Sequence, residues 1–171
     1  MKIYYREKSG GIEILRCFGI EGRVEIPGMI DDKLVISAAP YAFSNHMDEK
    51  EELKNASLWE VSDGLGFSRE EHVLAGNDVE EIVFPHTLKE IGRYIFYGCG
   101  NLKKLEFSDS LMQIGCGAFT GCHALEKLTV HMRQGKKSGV KEMLGEMWQR
   151  IDVNFLYEYE EDSIEKPDMM Y

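Results

Sequence analysis

Between residues 79 and 130, apolar side chains return in short alternating bursts separated by turns. In Leu102-x-x-Leu105-x-Phe107 the last positions alternate, so Leu105 and Phe107 share one face of a strand while Lys104 and Glu106 take the other. VEEIVF at 79–84 and LEKLTV at 125–130 follow the same rule. The first strand is followed by PHT and the second by SDS, both turn chemistry, and Pro85 ends its strand because it has no N–H for the ladder. Ile114-Gly115 and Ala118-Phe119 then return a second apolar edge inward, with the glycine permitting a tight backbone.

Slid by 23 residues, the segment matches itself. Val79 meets Leu102 and Leu125; Ile82 meets Leu105 and Leu128; Phe84 meets Phe107 and Val130. Leu88, Ile91 and Gly92 meet Leu111, Ile114 and Gly115, and Phe96, Gly98 and Cys99 meet Phe119, Gly121 and Cys122. One such unit cannot bury its apolar edge alone, so successive units must stack into a continuous core.

These residues resemble the BspA-like leucine-rich repeats, whose coils run roughly L-x-x-I-x-I-P and then I-G-x-x-A-F-x-x-C. EEIVFP, EIGRYIFYGC, KKLEF and QIGCGAFTGC carry the resemblance over 79–130. The expected architecture is an α/β-type repeat protein: a short right-handed leucine-rich-repeat solenoid with one parallel sheet. A β-hairpin at the N-terminus and a helix plus strand at the C-terminus would cap it. VEIP at 24–27 with SAAPYAF at 37–43 reads as an earlier coil about five residues longer. Residues 58–79 read as a degenerate coil, with Leu74 and Gly76 standing where Phe96 and Gly98 stand; an inserted helical excursion is the alternative.

The resulting organisation is one domain over 1–157. Residues 1–20 form the hairpin around KSGG, and 21–130 form the coils, with a degenerate or inserted segment at 44–78. Residues 131–157 form the C-terminal cap, in which Val140, Met143, Leu144, Met147, Trp148 and Ile151 share a helix face. DVNFLY then alternates, grouping Val153, Phe155 and Tyr157, and an acidic tail covers 158–171.

Charge sharpens the picture. The 171 residues carry a net charge of −10. Residues 46–78 account for −6 and residues 158–171 for −5, which leaves the body near neutral. Such a balance argues against a general nucleic-acid or anionic-membrane binder. No apolar run approaches the ~18 residues of a membrane span, and MKIYYREKSGG has no apolar signal region. The expectation is a cytoplasmic protein whose four cysteines are free thiols, although the family resembled is often secreted and many-coiled.

Candidate chemistry is sparse. Cys99 and Cys122 share a repeat position and should stack inward as small apolar thiols, while Cys116 matches the outward Arg93. No CxxC pair accompanies them, so neither a metal site nor any cofactor is expected. Gly115 to Gly121 mimics a dinucleotide loop, but the copies at Gly92 and Gly98 mark these as repeat glycines. Ser138-Gly-Val-Lys141 has an acyl-transfer spacing without companion motifs, and Ser138 is better read as a helix N-cap. HMRQGKK at 131–137, with Lys141, reads as a solvated basic loop.

The surface expected to matter is the outward face of the sheet. One column would run Arg23, Glu60, Glu81, Lys104, Lys127, and the next Glu25, Ser62, Val83, Glu106, Thr129; Glu60 and Ser62 belong only if the degenerate coil exists. The function this implies is a non-catalytic scaffold for a protein partner, with no nucleic acid, membrane insertion or small-molecule substrate. The alternatives are an adhesin-like surface protein, as the resemblance implies, or a thiol enzyme built on Cys116, Cys122 and His123.

Overall fold

The 23-residue period is the distance between neighbouring strands of a parallel sheet. In the computed structural model, which describes residues 1–20, 22–47, 52–61, 71–135, 138–145 and 150–158, five strands stand side by side. They are β3 (Arg23–Glu25), β8 (Glu81–Val83), β10 (Lys104–Ser108), β12 (Lys127–Arg133) and β13 (Asp152–Glu158). Every adjacent pair is parallel, and the register sets Val24, Ile82, Leu105, Leu128 and Val153 in one inward row. The first four are completely shielded from solvent, and Ile26, Phe84, Phe107 and Val130 form a second inward row. At roughly 1.5–3 kcal/mol per buried large side chain, these rows are the main favourable term for stacking.

A second wall returns the chain. β5 (Lys33–Ala38), β9 (Glu90–Ile91) and β11 (Gln113–Ile114) pair in parallel, aligning Ala38 and Ile91 and then Ile91 and Ile114 on the core side. The coils come so close here that a Cβ on Gly115 would lie 2.2 Å from the backbone nitrogen of Arg93, and one on Gly92 2.3 Å from that of Pro40. Glycine is required by this approach. Beyond the wall the rings of Phe43, Phe96 and Phe119 form a ladder, with centroids 6.0 and 5.7 Å apart. A neighbouring position is left-handed in each coil: Tyr41 at φ 60°, Tyr94 at φ 51° and Gly117 at φ 66°. The two tyrosine rings stack at 5.6 Å.

The first coil is the longest. Its extra residues between VEIP and SAAPYAF form β4 (Met29–Ile30), which turns back on β5 through Asp31 and Asp32, both with positive φ. Residues 58–79 do not add a coil: β3 pairs directly with β8, so the sheet has no place for one. The described strands of the segment pair with the N-terminal strands instead. β6 (Ser57–Glu60) pairs antiparallel with β1 (Lys2–Lys8), and β7 (His72–Val73) pairs antiparallel with β2 (Gly11–Gly19). Phe43, not Leu74, occupies the Phe96 slot. Its N–H bonds to Ile95 just as that of Phe96 bonds to Ala118.

β1 and β2 form a hairpin through Ser9-Gly10, and β2 joins β5 in parallel, so the hairpin extends the second wall. Arg16 on β2 is buried, and its Nη1 donates to the carbonyls of Tyr41, Ala42 and Ser44 at 3.0, 3.2 and 2.6 Å. At the other end α1 (Val140–Leu144) buries Val140 and Leu144. Ser138 Oγ accepts from the Val140 N–H at 3.2 Å, one residue before the Gly139 N-cap. Met147 and Trp148 lie outside the described residues. Tyr157 is more than half exposed, apart from the inward Val153 and Phe155. β13 takes in Glu158, which the charge pattern assigns to the tail; the rest of that tail lies outside the described residues. No helix among the described residues is long and apolar enough to cross a membrane.

Candidate functional site

Strand alternation and parallel register together dictate what the sheet shows to solvent. One outward column runs Arg23, Glu81, Lys104, Lys127, Asp152, and the next Glu25, Val83, Glu106, Thr129, Asn154. All eight residues singled out in the sequence therefore lie together. Glu60 does not join them: it sits on β6 opposite Lys2, with Lys2 Nζ 3.8 Å from its carboxylate. Ser62 lies outside the described residues.

The column is electrostatically uneven. Arg23 is held by Glu25 at 3.0 Å and by Glu81 at 3.6 Å. Lys104 and Lys127 are direct cross-strand neighbours, both exposed, and among the described residues neither forms an ion pair. Like charges directly opposite one another on a sheet are unfavourable, and the carboxylates on the outer flanks, Glu81 opposite Lys104 and Asp152 opposite Lys127, offset this only at cross-strand distance, without an ion pair. The lysines border a shallow recess of about 160 Å³ that also includes Glu81, Glu106 and Thr129.

Towards the turn end of the same face the sequence reading missed a cluster. Residues 131–133 belong to β12 rather than to a solvated loop. His131 lies between two carboxylates, with Glu158 Oε1 2.5 Å from Nδ1 and Glu106 Oε1 against Nε2. Burial pulls its pKa down, but hydrogen bonds and charge from Glu106 and Glu158 outweigh that and leave it raised. Arg133 closes on the buried Asp109 at 3.1 Å, and Lys141 donates to the Tyr157 hydroxyl at 3.0 Å. The basic run thus dissolves into separate contacts; Lys136 and Lys137 lie outside the described residues. Residues 25–28 and 83–86 with Trp59 line a further recess of about 570 Å³.

The thiols are less suited to nucleophilic chemistry. Cys99 is buried and donates to the Phe43 carbonyl at 3.2 Å; Cys122, half-buried in the coil above, donates to Phe96 at 3.3 Å. Burial pushes both thiols up to about 12. Cys122 and His123 line an open recess of about 430 Å³ with Arg150, while Cys116 is exposed and not among its lining residues. A thiolate at Cys122 is disfavoured where a nucleophile would need one.

Residues 70–140 match the family model for the BspA type leucine rich repeat region, in six copies. No curated protein matches the chain. Among solved structures, a leucine rich cell surface protein from Faecalibacterium prausnitzii A2-165 is similar over 76% of this chain, at 19% identity and a TM-score of 0.48. The T. pallidum leucine rich repeat protein is similar over 91% of this chain and 79% of its own, at 21% identity and a TM-score of 0.35. The chain spans 31% of the length of the first of these.

Proposed function

Residues 70–140 being a BspA-type leucine-rich repeat region, we propose that the protein is a non-catalytic interaction scaffold offering the outward face of its parallel sheet to another protein. The observation that carries this reading is the Lys104–Lys127 pair. Two exposed cations are set side by side, with Glu81 and Asp152 on the strands flanking them but no ion pair to either among the described residues, in a protein of net charge −10. A partner with an acidic patch removes that repulsion on binding and gains two charge-assisted contacts. Arg23 already has carboxylate neighbours, so the electropositive part of the column is its β10–β12 half.

The test is affinity capture from native lysate with three baits of equal thermal stability: wild type, a Lys104→Glu, Lys127→Glu double variant, and a control Lys54→Glu variant. The expected result is one protein retained by wild type and Lys54→Glu, lost by the double variant, and released as salt is raised. If all three baits hold the same proteins, or none holds any, the sheet face is not the site.

A further inference from the structure

Three coils bring nitrogen and oxygen ligands together where the parallel strands run into their turns. His86 lies in the turn after β8, His131 near the end of β12, and Glu158 at the end of β13. One nitrogen from each histidine and one carboxylate oxygen all lie within 4.8 Å of one another. The histidine rings come within 4.8 Å, centroid to centroid, although β10 runs between their strands. Ser108 makes this possible. It stands opposite His131 in the register, and its short side chain turns away to donate to the His86 carbonyl at 3.2 Å. A longer residue at 108 would hold the two rings apart.

We propose that His86, His131 and Glu158 form a binding site for a divalent transition-metal ion of the zinc, cobalt and nickel group, with Glu106 as the carboxylate that orients His131. The donor set is two imidazoles and one carboxylate, which suits these ions; calcium and magnesium favour all-oxygen shells. Ligand atoms about 2.0–2.1 Å from a tetrahedral zinc lie roughly 3.3 Å apart, so the widest pair must close by about 1.5 Å at most and the 2.5 Å His131–Glu158 pair must open by about 0.8 Å. His86 and Glu158 are exposed side chains and can rotate that far. Glu158 already faces Nδ1 of His131, which makes Nδ1 the nitrogen a shared ion would take. Nε2–H then donates to Glu106, the arrangement that fixes tautomer and ring orientation around many metal-bound histidines. Three protein ligands leave a fourth position for water or for a donor from another molecule. The site lies on the same face as the lysine pair but does not depend on the interaction reading.

The experiment uses the full chain, free of any affinity tag, in a Cys116→Ser background so that the exposed thiol cannot bind metal. Apo protein is titrated with zinc(II) by calorimetry and with cobalt(II) by visible absorption. One equivalent should bind, with tetrahedral cobalt bands, and zinc should raise the melting temperature. His86→Ala and Glu158→Gln, both at exposed positions, should each weaken binding at least tenfold, and Glu106→Gln about tenfold. Magnesium should not compete. Absence of saturable zinc binding would overturn the proposal. So would binding that His86→Ala and Glu158→Gln leave unchanged.

Discussion

Arg16 shows how one residue fixes the shape of the first coil. Seven successive residues of β2, Gly11 to Cys17, are buried because strands flank it on both sides and both its faces are covered. A guanidinium in that setting holds the turn at 41–44 through three carbonyls. Removing it leaves those acceptors without their donor in a site closed to water. Arg16→Ala should therefore destabilise by about 3–5 kcal/mol, measured by urea denaturation. A loss under about 1 kcal/mol would mean that the turn holds itself. Nothing in IEILRCFG marks Arg16 as interior, since alternation cannot tell which polar residue a second covering layer encloses. The left-handed tyrosines are equally hidden: only Gly117, their successor in the next coil, hints at the backbone that Tyr41 and Tyr94 adopt.

Among the elements, the coil-to-coil contact at the second wall is the least forgiving. Gly115→Ala would drive a methyl group into the main chain at Arg93, and main chain can yield only if the coils separate. The expected cost is about 2–3 kcal/mol by chemical denaturation. Wild-type stability in that variant would show that the spacing between coils is elastic. What repeats was readable from sequence: the inward rows, the outward columns and the glycines all recur every 23 residues. What occurs once was not. The segment 58–79 has apolar residues enough for a coil, but β3 and β8 have already paired, and its described strands, Ser57–Glu60 and His72–Val73, lie along the hairpin. Glu158 looked like part of a charge run because its role comes from His131, 27 residues earlier on another strand. The cluster of His86, His131 and Glu158 has no local spacing at all, since three separate coils supply it.

Across the molecule the two ends differ. At the N-terminal end, Met1 bonds Glu71 at 3.0 Å through its amino group and Val61 at 3.1 Å through its carbonyl, so contacts 60 and 70 residues apart hold the hairpin in place. At the other end β13 has a partner on one side only among the described residues. Opening should begin there. Native-state hydrogen exchange should find β13 amides about tenfold or more faster than those of β2. Equal protection would show that another chain or segment covers β13.

The sheet's geometry also acts as a ruler. Each outward column places one side chain per strand, at steps of about 4.8 Å. A peptide lying extended along a column offers same-face side chains about 6.8 Å apart and falls out of step within two coils. An α-helix presents a new turn every 5.4 Å and drifts only about 0.6 Å per coil. From Arg23 to Asp152 the accumulated error is roughly 2.4 Å, within reach of long charged side chains. A ligand that reads the whole column is best matched by a helix laid across the strands, at right angles to the direction in which the chain itself runs.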